Sequence, residues 1–344
     1  RIHSQIDPDF RQINATDWGP SQLQEAVKRE YQHPFNLKDG PLLRVRLFKT
    51  AQEDFVFLMT LHHIVFDAWS LWLLQDEFGE LYRAESRGET AVLPSLTATY
   101  SDFVRWQTDL QHSERGESLW HYWRDRLRGD LIAPDLTADY PRPDRPNHQG
   151  ASHKFRVPQE LSQQLRSLGK SLGATPFAVL LAIFKTLIFR YTGQHDLTIG
   201  TTTSGRSDSS FTRVVGYFVN TLPIRTEMPA NATFGDYVAH VKQRTLEAIE
   251  HQDYPFPLLV DRLNPRRDTG RLPICSVMFG LQKPQQFHEA ARLFEEAPGD
   301  TDWGGMAVSP YDVPQQEGQF DLTLEMFDTN ESLLGTLKYD TDLF

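Results

Sequence analysis

"TLHHIVFDAWS", residues 60–70, ends one pattern and begins another. Before it, "DFVFLMT" (54–60) is a mostly apolar run. After it, "SLWLLQDEFGELYRAES" (70–86) places Leu71, Leu74, Phe78, Leu81 and Tyr82 at helical spacing. The quoted stretch is therefore a strand-to-helix turn carrying His62, His63 and Asp67, with Asp67 or Ser70 placed to cap the helix. A strand end feeding a helix sets the frame: mixed α and β structure, with polar side chains presented at the turn.

Working outward, "PLLRVRLFKT" (41–50) and the strand at 54–63 are separated by the short polar turn "AQE", which predicts a hairpin. Aromatic-rich helices follow, with Phe103 and Trp106, then Trp120 and Trp123. "APDLTADYPRPDRPNHQG" (133–150) holds Pro134, Pro141, Pro143 and Pro146 and lacks periodicity, so it is expected to link two lobes. Beyond it come strand "ASHKFRV", a helix from about 159, and "ATPFAVLLAIFKTLIFRYTG". In the last, Thr175 is an N-cap, Pro176 suits the first helical position and Gly193 stops the helix. That helix is apolar nearly all round and should be buried. Strand "DLTIGTT", a Gly/Ser/Arg loop, strand "FVNTLPIRTEM", helices at 233–250 and about 257–263, strand "PICSVMFGL" and strands near 319–326 and 333–339 complete the reading. The expected class is α/β in two lobes: 1–132, linker 133–150, and 151–344.

Composition agrees with a folded protein of this size: 344 residues, 39% hydrophobic and 24% charged. A formal net charge of -11 argues against a general nucleic-acid binder. The one cysteine, Cys275, cannot make an internal disulfide, which favours a reducing compartment, and its apolar setting reads as a buried inert thiol. The run "FAVLLAIF" (177–184) is too short to cross a bilayer, and no signal peptide opens the chain. The start at Arg1 has the look of a piece of something longer.

Histidine is the side chain best suited to moving a proton near neutral pH, and Asp67 beyond the turn can hold the loop or orient a ring. A structural role for both histidines competes with this. Two His and an Asp are also acceptable zinc ligands, but adjacent strand residues point to opposite faces and rarely share one ion. A Ser-His-Asp hydrolase is a third reading, though no G-x-S-x-G elbow is present.

Other segments bear on the choice. "HHIVFDAWS" resembles the HHxxxDG core of the condensation domains of nonribosomal peptide synthetases, relatives of chloramphenicol acetyltransferase. "YSDFVRWQ" and "YWRDRL" fall where that family has similar helices. "IGTTTSGR", "VGYFVNTLPIR", "HQDYPFPLLVDRL", "PICSVMF" and "LKYDTDLF" are similar to further family blocks, in the same order. The matches run from about residue 37 to 344. The family's leading strand and helix, with an Arg-His-x-x-Leu-Arg-like stretch, find no counterpart in this reading. The first lobe is therefore expected to be incomplete, its missing segment absent or carried as a separate fragment. Ala68 stands where the family has Gly.

The resemblance implies a two-lobe, chloramphenicol acetyltransferase-like sandwich with mixed sheets flanked by helices and a tunnel between the lobes. It also implies an acyltransferase that forms an amide between a donor acyl or peptidyl thioester and an acceptor aminoacyl thioester. Both substrates would arrive on 4'-phosphopantetheine arms of donor and acceptor carrier proteins, beside an adenylation domain. The chain itself would bind no metal or other cofactor, nucleic acid or membrane, and would work in the cytoplasm. His63 is the implied catalytic residue. His62, Asp67 and Arg206 are implied structural motif residues, with Asp67 paired to Arg206. Ala68, Ser204 and Asn220 are expected along the substrate channel. His62 argues against heterocyclising relatives, "GYFV" against epimerising ones, and His63 against recruitment-type ones. The alternative is an inactive platform that docks carriers.

Overall fold

The computed structural model describes residues 7–131, 133–265, 271–283, 301–311, 313, 318–329 and 332–344. In chain order the elements are β1 (Asp9–Asn14), α1 (Pro20–Gln32), β2 (Leu43–Lys49), β3 (Phe55–Leu61), α2 (Ala68–Ser86), α3 (Tyr100–Gln111), α4 (Glu114–Arg126), β4 (Gly150–Val157), α5 (Gln159–Ser171), α6 (Pro176–Thr192), β5 (Asp196–Thr203), β6 (Asn220–Glu227), α7 (Phe234–Glu250), α8 (Phe256–Leu263), β7 (Val277–Gln282), β8 (Thr301–Trp303), β9 (Met306–Val308), β10 (Leu322–Asp328) and β11 (Leu333–Asp340). The class is α/β with mixed sheets. The chain divides into two compact units, Arg1–Ser95 with Arg213–Phe218 and Glu296–Val313, and Leu96–Thr212 with Val219–Glu295 and Pro314–Phe344.

That division departs from the lobes expected at 1–132 and 151–344. Helices α3 and α4 belong to the larger unit because their aromatic faces are part of its core, with Trp120, Trp123 and Leu127 buried there. The segment 133–150 is irregular, as its prolines require, but it is fastened to the unit rather than left as a free link. Arg142 binds both oxygens of Asp321 at 2.8 and 2.6 Å. The amide of Asn147 donates to Asp342, and the Asp139 N–H to the Leu343 carbonyl.

In the smaller unit the sheet order is β1-β2-β3, with β1 parallel to β2 and the β2–β3 hairpin antiparallel, Leu43 opposite Leu61 and Lys49 opposite Phe55. The stretch before the hairpin, which the sequence reading left without a strand or helix, forms β1 and α1. The reason they escape a pattern reading is visible in β2. Its buried face carries Arg44, Arg46 and Phe48. Arg46, 2% exposed, bonds Glu30 of α1 through Nε at 2.7 Å and Asp9 of β1 through NH2 at 3.0 Å. Arg44 donates to the Glu30 and His33 carbonyls and lies over the Phe35 ring. The hydrogen bonds from Arg46 hold the Asp9 carboxyl below its ordinary range, against the opposing effect of burial. Charge thus helps to fasten β1 and α1 to the hairpin, beside a small apolar cluster of Ala26, Val27 and Phe48. On the other side, Phe57 stacks on Phe78 of α2 and Phe78 on Trp303 of β8. The β8–β9 turn comes so close to α2 that a Cβ on Gly304 would sit 2.6 Å from the Gly79 carbonyl oxygen.

The larger unit holds a six-stranded sheet in the order β4-β11-β10-β7-β5-β6. The β10–β7 and β7–β5 pairs are parallel and the outer pairs antiparallel. Helix α6 runs through its core. Thr175 caps its start by accepting the Ala178 N–H, and Gly193 ends it in the left-handed region at φ 68°. Val179, Leu181, Ala182, Phe184 and Ile188 are almost wholly buried. Truncating a side chain such as Phe184 would cost about 3–5 kcal/mol through lost transfer energy and the cavity left behind. α7 opens with a reciprocal capping box between Thr233 and Asp236. Lys185, on α6 and 0% exposed, donates to the Leu197 and Ile224 carbonyls at 2.9 and 2.8 Å. Cys275 is buried, and burial pushes its thiol up to about 12. It is therefore a thiol and not a thiolate nucleophile. Among the described residues, no single helix is long and apolar enough to cross a membrane.

Candidate active site

The site is built where β3 ends. His62 keeps extended backbone, residues His63–Val65 form one 3-10 turn, and Asp67 returns to extended geometry to cap α2. The adjacent histidines are thereby given different partners. His62 Nδ1 accepts the Ile64 N–H at 3.2 Å, and its ring meets Phe35 edge-on at 6.0 Å. His63 Nδ1 lies 2.7 Å from the Phe66 carbonyl oxygen. A carbonyl has no proton to give, so His63 Nδ1 is the N–H donor and, in the neutral ring, Nε2 keeps its lone pair. The His63 imidazole is exposed, stacks on Phe66 at 5.1 Å and 27°, and meets Tyr217 edge-on at 5.4 Å and 71°.

Asp67 is 2% exposed. Its Oδ1 accepts the Ser70 N–H at 2.8 Å, which makes it the helix cap, and its Oδ2 accepts the Phe218 N–H at 3.0 Å. Ser70, 0% exposed, uses its hydroxyl twice on one residue. Oγ donates to the Gly216 carbonyl at 2.9 Å and accepts the Gly216 N–H at 3.0 Å. Arg213 pairs with Glu77 at 2.6 Å. The short stretch 213–218, far away in sequence, is thus strapped onto the turn that carries His63. The sequence reading named Asp67 but missed Phe66, Ser70 as the strap's fastener, and Tyr217. The pairing of Ser70 with Gly216 spans 146 positions, and that of Asp67 with Phe218 spans 151, which no local pattern reveals. The alternation within "GYF" is the one signal available, with Gly216 and Phe218 buried and Tyr217 turned outward.

Ala68 is exposed and is the first residue of α2, a position with ordinary helical backbone. The remaining expected site residues belong to the larger unit. Ser204 is exposed in the loop after β5, where Gly205 has φ +64°. Arg206 is buried and its NH1 donates to the Ser204 carbonyl at 3.2 Å. The Asn220 side chain bonds within the larger unit. Its Nδ2 donates to the Gln252 and Tyr254 carbonyls, both at 2.8 Å, and its Oδ1 accepts the Phe256 N–H at 2.9 Å. Both amide hydrogens latch the loop before α8 to β6, which gives this side chain a structural task.

The family model described as Condensation domain matches residues 1–344. The chain belongs to the condensation-domain family. The match covers residues 1–344, so it extends beyond the stretch from about 37 carried by the sequence blocks and includes β1 and α1 ahead of the hairpin. This condensation domain is 37% identical to a linear gramicidin synthase of Brevibacillus parabrevis over all of its own length and 4% of that protein's. It is 36% identical to tyrocidine synthase 3 of the same organism, over 100% of the chain and 5% of the relative. It is likewise 36% identical to phosphinothricin tripeptide synthetase PhsC of Streptomyces viridochromogenes, over 91% of the chain and 28% of the relative. The domain is therefore a small part of the length of the curated relatives it matches. Among solved structures, a four-domain nonribosomal peptide synthetase bound to AMP and glycine aligns with TM-score 0.87 and 27% identity, over 99% of this domain and 26% of that chain. The X-domain from teicoplanin biosynthesis, at 24% identity and TM-score 0.83 over 97% of the domain and 74% of that chain, shares the fold. The α/β class with mixed sheets flanked by helices is that of condensation domains, and peptide-bond formation within nonribosomal peptide synthetases is this family's function.

Proposed function

We propose that this domain is an acyltransferase that joins a donor acyl or peptidyl thioester to an acceptor aminoacyl thioester, each held on the 4'-phosphopantetheine arm of a carrier protein. The observation that supports this best is the His63 tautomer. With Nδ1–H given to the Phe66 carbonyl, Nε2 offers a lone pair from an exposed ring. The acceptor amine attacks the donor thioester carbonyl, a C–N bond forms and the C–S bond breaks. The proton shed by the nitrogen goes to His63 Nε2 and from there to the departing thiolate. The thioester supplies the driving force, so the domain itself needs neither metal nor nucleotide. An adenylation domain upstream of the acceptor carrier and a cytoplasmic setting belong to the same reading.

The test is condensation between loaded donor and acceptor carriers, with the dipeptidyl product followed by mass. His63→Ala should lower the rate about 10²–10⁴-fold while its melting temperature stays close to wild type. An unchanged rate removes His63 from the chemistry. A wild-type domain that binds both loaded carriers yet forms no product is a docking platform instead.

A further inference from the structure

The strap 213–218 does more than close the smaller unit. Gly216 is held through both of its backbone groups by the Ser70 hydroxyl, and Phe218 by the Asp67 carboxylate. Gly216 and Phe218 are buried, and the residue between them is exposed. That residue is Tyr217, 42% exposed, and its ring meets the His63 imidazole edge-on while Phe66 covers an imidazole face. We propose that Tyr217 is a positioning residue for His63, its ring edge holding the imidazole plane against Phe66 so that Nδ1 stays on the Phe66 carbonyl and Nε2 keeps one direction. The proposal rests on the role of His63 given above.

An exposed imidazole at a turn is free to rotate about its outer torsion, which has a broad, roughly two-fold profile. Rotation by half a turn would carry Nδ1 away from the Phe66 carbonyl and turn Nε2 with it. One hydrogen bond resists this weakly in the presence of water. An edge-to-face aromatic contact, in addition to the stacked one, adds a direction-dependent restraint. Burial, and then the charge of Asp67, push the Tyr217 phenol up, so the ring beside His63 stays uncharged. The restraint is therefore the ring itself, and phenylalanine should supply it as well.

Three readouts on the full chain test this. Nitrogen NMR of the His63 ring at mildly alkaline pH should show a single Nδ1–H tautomer in wild type and a mixture of tautomers in Tyr217→Leu. With loaded carriers, Tyr217→Leu should lower kcat about tenfold with KM for both carriers unchanged, within the range that small misplacements of a reacting group cost. Tyr217→Phe should restore most of that loss and the single tautomer. Tyr217→Met serves in place of the leucine variant if that one does not fold. An unchanged tautomer in the leucine variant, or a phenylalanine variant as impaired as the leucine one, overturns the positioning role. A fully active His63→Ala overturns the catalytic reading instead, and the NMR comparison still decides whether Tyr217 orients the ring.

Discussion

Each unit of the domain buries a long cation, and each answers the charge differently. Arg46, in the smaller unit, meets the carboxylates of Asp9 and Glu30. Burial works against its charge, but the bonds to those two acids outweigh it and the guanidinium is held above its ordinary range. Lys185, in the larger unit, meets two backbone carbonyls. Burial dominates there, and its amine is pushed down from 10.5 to about 7. The contrast shows that burial alone does not decide a group's charge. A counter-charge lets the first region use a cation as a fastener, while carbonyl dipoles let the second keep an amine that gives up its proton near neutrality.

The sharpest way to break the comparison is Arg46→Met. It removes the charge-assisted bonds of Arg46 to Asp9 and Glu30, leaving Asp9 with Arg44 and Arg11, and should cost about 3–5 kcal/mol, read as a fall in the urea midpoint of the smaller unit's transition. The loss should fade in acid. The depressed Asp9 carboxyl contributes stability that is present above its ordinary 3.8 and is lost as pH falls through its lower folded value. A variant as stable as wild type at pH 7 would show that the charges are ornamental.

Asp67 is a buried carboxylate that receives the N–H groups of Ser70 and Phe218. Asp67→Ala should cost about 2–4 kcal/mol, since two buried donors lose their acceptor. Ser70→Ala, which frees the strap at Gly216, should also lower melting temperature, and the double variant should lose less than the sum. Strictly additive losses would separate the two residues.

Lys185→Met should cost about 1–3 kcal/mol at high pH, where the neutral amine still donates to the Leu197 and Ile224 carbonyls and methionine does not. The folded amine's depressed value makes the unfolded chain bind more protons between about 7 and 10.5, so wild-type stability rises with pH across that window. The gap between variant and wild type should therefore narrow as pH falls from 10.5 to 7. A gap independent of pH would mean that the amine does not titrate there.

Ala68→Gly should have the smallest effect, about 0.5 kcal/mol, because an exposed neutral residue at a helix start loses only backbone entropy. Turnover with a small and a bulky acceptor reads any effect on access. An equal fall for both would assign Ala68 to backbone order.

Much of the larger unit was legible because its elements carry strong apolar periods and explicit caps, such as Thr175 with Gly193 and Thr233 with Asp236. The motif turn was legible for the same reason, as an apolar run met a helical one at His62 and His63. The smaller unit's first elements were not. "DFRQIN" is mostly exposed, and α1 buries only Ala26 and Val27, so neither shows a clear apolar period. β8 and β9 have three residues each, too few for a pattern. Inward arginines on β2 invert the usual alternation. In the site, the histidines and Asp67 announced themselves, whereas Tyr217 and the Ser70–Gly216 pairing depend on contacts far apart in sequence.

The strap also has a consequence for how the chain is made. The smaller unit holds residues 1–95, yet Ser70 and Asp67 wait for Gly216 and Phe218, and Gln75 waits for Trp303, 228 positions later. On a ribosome, the unit whose first residues emerge earlier is therefore completed only after much of the larger unit has emerged. Until then Asp67 and Ser70 have no strap to hold, and α2 keeps its aromatic face uncovered by Trp303. Such widely separated contacts slow folding because the loop-closure entropy must be met before they form. A nascent chain arrested soon after residue 95 should thus be protease-sensitive around His63, and one arrested after residue 313 has exited should not be.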